Sequence, residues 1–261
     1  MSRTLLACAL ALFALSSCCT MSVHQETGFL NRRVRVGGTE FPYSVYVPRD
    51  FDRGRSWPVI LFLHGSGERG SDGLRPTQIG VGGAIRFEPA RVPAIVVFPQ
   101  APLDTSWIGV PADAAMAALD AATAEFHGDP RRTYVTGLSM GGYGSIHLAL
   151  AHPARFAAMV IVCGGLLPHP TTTAVHRSPL IPDGVDPYAF VAQSLRAMPI
   201  WIFHGADDPV IPVDEARRLD GELKKAAANV RYTEYPGVGH NAWDRAYGEA
   251  EVWTWLFEQH L

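Results

Sequence analysis

Six short strand-like segments, most of them continuously apolar, constrain the fold of this chain more than any other feature of its sequence. They lie at 59–63, 94–98, 133–136, 157–163, 200–203 and 230–235, and helix-like stretches lie among and after them at 111–126, 140–151, 213–227 and 243–260. Strands without polar alternation are typical of a parallel sheet that helices cover on both faces. Strands that alternate with helices favour right-handed crossovers. The sequence therefore predicts an α/β protein with a doubly wound, mostly parallel sheet.

Size and composition indicate one globular domain with an insertion. At 261 residues, with 48% hydrophobic and 18% charged residues, the chain can bury a sizeable core. Segments 34–36 and 43–47 alternate apolar with polar residues around Gly37-Gly38, which predicts a hairpin. A long stretch rich in proline and threonine, with a predicted helix at 187–195, interrupts the later strands. We expect one domain over 32–261, in which residues 164–198 form a small cap.

The amino-terminal residues predict export. A positive start at Arg3 precedes a short apolar run and then small residues, which is the pattern of a signal peptide, placed here at 1–17. The apolar run is too short to span a bilayer. The Leu-Ser-Ser-Cys segment that ends at Cys18 resembles a bacterial lipobox, whose cysteine is lipidated after cleavage. We expect Cys18 to anchor the protein in the periplasm or at the cell surface through a tether, 18–31. Ordinary secretory cleavage nearby, with a soluble product, is the alternative.

Charge and cysteine content exclude several classes of function. The formal net charge is −3, and nucleic-acid binding depends on a basic surface. Beyond the amino-terminal segment Cys163 is the one cysteine in the sequence, which rules out a disulfide framework. The histidines and acids lack metal-ligand spacing, and no phosphate-binding glycine motif occurs. We expect no metal, no cofactor and no nucleic-acid partner.

Gly137-Leu138-Ser139-Met140-Gly141 is the segment that carries chemistry. It fits Gly-x-Ser-x-Gly, with a strand-like segment before it and a helix-like stretch after it. In that context the serine lies on a sharp strand-to-helix turn, and small residues two positions away on each side relieve crowding. The hydroxyl then faces a helix amino terminus, where backbone N–H groups stabilise a developing anion. We predict that Ser139 is a nucleophile.

The strand-to-helix turn at Ser139 and the order of the strands resemble the α/β-hydrolase family, as do an acid and a histidine later in the chain. The resemblance covers nearly the whole body of the chain. This resemblance implies that an acid follows the nucleophile and that a histidine comes last. Residues 204–212, His-Gly-Ala-Asp-Asp-Pro-Val-Ile-Pro, are similar to the family's His-Gly-x-x-Asp-x-x-x-Pro loop, and that register implies Asp208 as the acid. Asp207 is the alternative, and Asp183 and Asp186 in the cap are weaker ones.

The same resemblance implies His240 as the base. It lies just before the last helix-like stretch, in the family's position, and would take the proton of the nucleophile while the acid accepts its far N–H. His204, at the end of a strand, is interpreted as a packed or hydrogen-bonded core histidine.

Two backbone N–H donors complete such a site as an oxyanion hole. One is expected from Met140, directly after the nucleophile. The resemblance of the segment after 59–63 to His-Gly-x-Gly loops implies Ser66 as the second donor, with Gly65 as the alternative and His64 as a brace. Trp107 leaves the next strand at the same sheet edge and is either a wall of the substrate pocket or ordinary core.

Together these residues predict a serine carboxylic-ester hydrolase that acts through an acyl-enzyme. The Gly-Ser-Gly-Glu-Arg-Gly segment looks closest to secreted esterases and to feruloyl-esterase-like or peptidase-like members of the family. We expect small or polysaccharide-linked acyl or aryl esters as substrates. A serine peptidase of the same fold is the second hypothesis. The third is a non-catalytic surface lipoprotein on a hydrolase scaffold.

Overall fold

One eight-stranded sheet forms the centre of the protein in a computed structural model that describes residues 26–168 and 177–261. Its strands are β1 (Gly28–Val36), β2 (Thr39–Val47), β3 (Trp57–Leu63), β4 (Ile95–Pro99), β5 (Gly128–Leu138), β6 (Ala158–Val162), β7 (Ile200–Gly205) and β8 (Val230–Tyr235). They lie in the order β1-β2-β4-β3-β5-β6-β7-β8. The β1–β2 and β2–β4 pairs are antiparallel and the other pairs are parallel. The predicted fold class is confirmed.

Strands β1 and β2 form the predicted hairpin. Gly37 and Gly38 make its turn with φ values of 56° and 84°, a backbone region that side chains disfavour. Pairing begins with Gly28 opposite Val47 and continues along all of β1. The first strand therefore takes up the end of the segment 18–31 that the sequence predicts as a tether, and the folded domain begins before residue 32.

The strand side chains alternate between two apolar layers, which explains the continuous apolar runs. In β3, Val59, Leu61 and Leu63 enter one layer, while Ile60 and Phe62 enter the other. Among the described residues, seven helices cover the layers: α1 (Val81–Phe87), α2 (Val110–Glu125), α3 (Met140–Ala151), α4 (Pro187–Leu195), α5 (Asp214–Lys225), α6 (Trp243–Gly248) and α7 (Ala250–Glu258). Helices α2 to α5 pack on the first layer, and α1, α6 and α7 pack on the second.

The helix boundaries follow the sequence prediction closely except at the end of the chain. Helices α3 and α4 span the predicted residues. The stretch 243–260, predicted as one helix, is divided because Glu249 is extended, with φ −78° and ψ 124°. The Tyr235 hydroxyl donates to the Glu249 carboxylate at 2.8 Å and holds this break in place. Helix α1 was not predicted, since its two glycines weaken the helical pattern.

The described part of the insertion is anchored on α3 and α5. The Leu166 N–H and the Tyr188 hydroxyl each donate to the Glu215 carboxylate at 2.7 Å. His147 Nδ1 lies 2.8 Å from the Ser178 hydroxyl. These contacts tie Leu166 and Tyr188 to α5, and Ser178 to α3, the helix that follows Ser139. A capping role for residues 164–198 stays a prediction.

Several predicted features lie outside the described residues. These are the signal peptide at 1–17, the lipidation site Cys18 and residues 169–176 of the insertion. Within the described ranges, no helix combines the length and the hydropathy that crossing a membrane requires.

Candidate active site

The turn between β5 and α3 has the geometry of a nucleophile elbow. Ser139 has φ 52° and ψ −122°, a conformation that is strained for a residue with a side chain. A Cβ on Gly137 would lie 2.2 Å from the Gly141 carbonyl oxygen, and a Cβ on Gly141 would lie 1.9 Å from the Leu63 carbonyl oxygen. Neither position admits a side chain, so the two glycines allow the sharp turn, as the motif predicts.

Three predicted residues meet at the carboxyl edge of the sheet. His240 Nε2 lies 2.9 Å from Ser139 Oγ, and its Nδ1 lies 2.7 Å from Asp208 Oδ2. A carboxylate only accepts, so Nδ1 carries the proton and Nε2 is free to accept the serine hydroxyl. The Ser139 residue is 8% exposed and the His240 side chain is 19% exposed. The structure thus brings the three residues into one hydrogen-bonded relay, in which the His240 side chain is more exposed than Ser139 and the Asp208 side chain is buried.

Asp208 is held as an ionised acceptor. Its Oδ1 receives the N–H groups of Val210 and Ile211 at 2.8 and 3.0 Å. Its Oδ2 is shared by His240 and His204. Burial by itself raises the pKa of Asp208, but the hydrogen bonds from both histidines and the two N–H groups outweigh it and hold the pKa well below its usual range.

The rival acids lie elsewhere. Asp207 is exposed. Asp183 is a surface partner of Arg177. Asp186 accepts two N–H groups at the start of α4.

His64 braces the loop after β3, as expected. Its Nδ1–H donates to the Gly65 carbonyl at 2.6 Å, and its Nε2 accepts the Ala101 N–H at 3.0 Å. Trp107 Nε1 donates to the His64 carbonyl at 3.0 Å. Burial lowers the pKa of His64 to about 4, and the bond to Gly65 offsets only part of that effect. The ring is therefore neutral near pH 7 and links the loops that follow β3 and β4.

Two backbone segments adjoin the nucleophile: the start of α3 and the loop after β3. Met140 is the first residue of α3, so its N–H has no partner within the helix. The loop after β3 runs alongside, because a Cβ on Gly65 would lie 3.5 Å from the Ser139 Cβ. This spacing brings the loop backbone next to the serine.

Within that loop, the N–H groups of Gly65 and Ser66 have different surroundings. The Gly65 carbonyl is bound by His64, which directs the N–H at the other end of the same peptide unit, that of Ser66, to the opposite side. The N–H of Gly65 itself faces the carboxyl group of Glu68. Burial raises the pKa of Glu68, and the neighbouring N–H groups offset part of that rise.

Trp107 is fully buried behind the loop and lines a small cavity. The cavity has a volume of about 10 Å³, room for about one water molecule, and its wall includes Met140, Tyr143 and Ile181. Trp107 also packs edge-on against His64, with ring centroids 4.9 Å apart. The residue is part of the loop brace, and its predicted contact with substrate stays a prediction.

A larger groove of about 640 Å³ lies far from the relay. Leu150, Phe156 and Met198 are among its lining residues, at the end of α3 and before β6 and β7. This is the amino end of the strands, whereas ligands in such sheets bind at the carboxyl ends. The groove is therefore not part of the candidate active site.

Cys163, Asp208 and His240 are the described residues whose side chains group as metal ligands do, with ligand atoms within 4.8 Å of one another. The Cys163 thiol donates to the His240 carbonyl at 3.1 Å. Burial raises the pKa of the thiol to about 12, and a protonated thiol is a poor ligand. The other two side chains already bind each other. The arrangement suits proton transfer better than metal binding, and the predicted independence from a metal or cofactor stays a prediction.

Sequence reasoning missed one contact of this site. His204 is a buried, hydrogen-bonded core histidine, as predicted, but its Nε2 also lies 3.1 Å from Asp208 Oδ2, a contact that was not predicted. The four-residue spacing between His204 and Asp208 in the segment 204–212 was the sequence feature that could have indicated this contact.

The sheet order, the elbow and the relay define an α/β-hydrolase of the serine hydrolase class. The chain belongs to the prolyl oligopeptidase family, whose sequence profile matches residues 103–260.

Comparison with individual proteins agrees with this class. A solved structure of a thermostable esterase is 32% identical, with a TM-score of 0.74, and the match covers 89% of this chain and 63% of that one. Acyl-protein thioesterase 1 of Gibberella zeae is 27% identical over 123 residues, 47% of each chain. Probable feruloyl esterase C of Aspergillus terreus is 27% identical over 209 residues, 77% of this chain and 68% of that one. The chain thus spans about half the length of the thioesterase and under two thirds of the thermostable esterase.

Proposed function

We propose that the protein is a carboxylic-ester hydrolase in which Ser139 is the nucleophile, His240 the general base and Asp208 the acid that orients it. The observation that carries the proposal is the relay of Ser139, His240 and Asp208, with contacts of 2.9 and 2.7 Å. A neutral imidazole between a hydroxyl and an ionised carboxylate activates a serine that is otherwise a weak nucleophile.

The proposed reaction has two acyl-transfer steps. As Ser139 Oγ attacks the ester carbonyl, His240 Nε2 takes the hydroxyl proton and Asp208 stabilises the resulting imidazolium. The tetrahedral intermediate collapses, the alkoxide leaves with the proton from His240, and the acyl group stays on Ser139. Water then attacks the acyl-enzyme with His240 as its base, which releases the acid and restores the hydroxyl.

We assign the oxyanion hole to the N–H groups of Met140 and Ser66. Met140 follows Ser139, and Ser66 follows Gly65, whose Cβ would lie 3.5 Å from the Ser139 Cβ; neither N–H has a hydrogen-bond acceptor within the described part of the chain. Gly65 is disfavoured because its N–H faces Glu68. Two such donors stabilise the charge that develops on the carbonyl oxygen in the transition state.

Ester hydrolysis is preferred over peptide hydrolysis because of the individual proteins that the chain resembles. The thermostable esterase, the feruloyl esterase and the thioesterase are all named for ester or thioester cleavage. Trp107, beside Met140 at the small cavity, is proposed as a wall that favours short acyl groups.

A substrate panel tests the proposal. We would assay p-nitrophenyl esters of graded acyl length, methyl ferulate, acetylated xylan and an aminoacyl anilide. The Ser139→Ala variant, which lacks the nucleophile, is the matched control. The expected result is ester turnover that falls at least about 10⁴-fold in Ser139→Ala, with unchanged melting temperature. Faster cleavage of the anilide than of any ester would contradict the proposal, as would an active Ser139→Ala variant.

We also propose export and lipid anchoring through Cys18, on the strength of the amino-terminal sequence, and polysaccharide-linked esters as the natural substrates. Anchoring is tested by mass spectrometry of the mature amino terminus, with Cys18→Ser as control. A diacylated amino-terminal cysteine supports it, and an unmodified residue at that terminus contradicts it. Release of acid from acetylated xylan at rates near those for small esters supports the polysaccharide-linked class.

A further inference from the structure

A second imidazole lies on the acid of the relay. His204, the penultimate residue of β7, is fully buried, and its Nε2 lies 3.1 Å from Asp208 Oδ2. The same Nε2 lies 2.9 Å from the Ile211 carbonyl oxygen. The reaction described above does not use this histidine, although it contacts the same carboxylate oxygen as His240.

The contacts define the tautomer of His204. A backbone carbonyl is only an acceptor, so Nε2 carries the proton and donates to the Ile211 carbonyl, with Asp208 Oδ2 beside the same N–H. Nδ1 is buried and has no hydrogen-bond partner among the described residues. The neutral ring with its proton on Nε2 therefore faces both acceptors, and the ring acts through this one N–H.

We propose that His204 is a positioning residue whose Nε2–H fixes the rotation of the Asp208 carboxylate so that Oδ2 faces His240 Nδ1. This inference rests on the proposed function. An ionised carboxylate oxygen has two lone-pair directions, and His204 occupies one of those of Oδ2 while His240 takes the other. Because Val210 and Ile211 hold Oδ1, both oxygens are tied and the group cannot turn.

The second contact of His204 supports the same role. Its bond to the Ile211 carbonyl closes the loop that carries Asp208 onto β7. Ile211 in turn gives its N–H to Asp208. One imidazole N–H thus connects the strand, the loop and the acid. The hydrogen bond from His204 also helps to keep the pKa of Asp208 low, although burial acts in the opposite direction.

Two amide substitutions separate this role from general packing. The amide nitrogen of glutamine can take the place of Nε2, whereas asparagine reaches only to the place of Nδ1, which has no partner. We would compare His204→Gln with His204→Asn by steady-state kinetics, normalised to active sites titrated to completion with a fluorophosphonate. The expected result is a fall in kcat of about 10- to 100-fold for His204→Asn with KM within about twofold, and a fall below about fivefold for His204→Gln.

Equal losses in the two variants, or a His204→Asn enzyme that keeps more than half of kcat, would overturn the proposal. A measurement on the native protein covers the case in which neither variant folds. In ¹⁵N-histidine-labelled protein, NMR should show His204 as the Nε2–H tautomer at neutral pH. A proton on Nδ1 with Nε2 bare would overturn the proposal. An enzyme without ester turnover would count against the proposed function alone, because the tautomer is read independently of activity.

Discussion

The two halves of the relay are built in different ways. The nucleophile half is fixed by the backbone: Ser139 has φ 52°, and the glycines on either side leave no room for a Cβ. The acid–base half is fixed by side chains, since Asp208 lies between hydrogen bonds from His204, His240 and two loop N–H groups. Substitutions in the backbone half should therefore disrupt the turn, whereas substitutions in the side-chain half should abolish activity in a protein that still folds.

The largest effect tests the side-chain half. Asp208→Asn keeps the shape of the acid but removes its charge and favours the wrong tautomer of His240. We expect kcat to fall about 10⁴-fold while the protein still folds, with a lower unfolding midpoint because the hydrogen bonds that hold the pKa of Asp208 down also stabilise the folded state. Asp207→Asn, one residue away and exposed, is the control and should stay within about twofold. Similar losses in the two variants would show that the acid is misassigned.

The next effect tests the backbone half. A Cβ on Gly141 would lie 1.9 Å from the Leu63 carbonyl oxygen, so Gly141→Ala must displace β3 or the elbow. We expect a loss of about 3 kcal/mol or more in the free energy of unfolding, together with loss of activity. Gly83→Ala in α1 is the matched control, since its Cβ meets nothing within 4 Å. Its stability, measured by the same urea titration, should be unchanged or slightly higher. A stable but inactive Gly141→Ala would remove the contrast between the halves.

Lowering the pH should reduce the stability of the fold through His64, in the loop after β3. Burial lowers the pKa of His64 from 6.5 to about 4, so the unfolded chain binds its proton first as the pH falls. The stabilisation from neutral His64 is complete above pH 6.5 and is lost between pH 6.5 and about 4, a change of about 3 kcal/mol. Urea unfolding at pH 7.5 and pH 4.5 measures it. A His64→Gln variant should show a shallower pH dependence, and an identical dependence in the two proteins would contradict this assignment.

The smallest effect concerns the brace behind the loop. Trp107→Phe keeps the packing but deletes the N–H that binds the His64 carbonyl at 3.0 Å. We expect a loss of about 1–2 kcal/mol in stability because a buried carbonyl is left without its donor. Activity should fall only a few-fold, measured with the preferred ester. A loss as large as that of Asp208→Asn would mean that Trp107 contacts the reacting group.

The sequence predicted the backbone half more completely than the side-chain half. Gly137 is needed by local geometry, since its Cβ would meet the Gly141 carbonyl, whereas Gly141 is needed because β3 approaches it; the motif predicts both glycines without knowledge of that strand. The assignment of Asp208 as the acid and of His240 as the base rested on resemblance to a family. Three side chains far apart in sequence meet only when the sheet is assembled, so local patterns do not reveal them. The contact of His204 with Asp208 was missed for the same reason.

Some fold features also needed tertiary structure. The last helix is divided at Glu249, directly after Gly248, where the Glu249 carboxylate accepts a tertiary hydrogen bond from Tyr235. The extension of β1 back to Gly28 depends on its partner strand, since Gly28-Phe29-Leu30-Asn31 shows no alternation of apolar and polar residues.

Labelling of the native protein with a fluorophosphonate, followed by peptide mapping, tests the central claim most directly. The relay makes one hydroxyl nucleophilic, so the account predicts a single adduct on Ser139 that disappears in His240→Ala. An adduct on another residue, or a protein that folds and takes up no label, would contradict it.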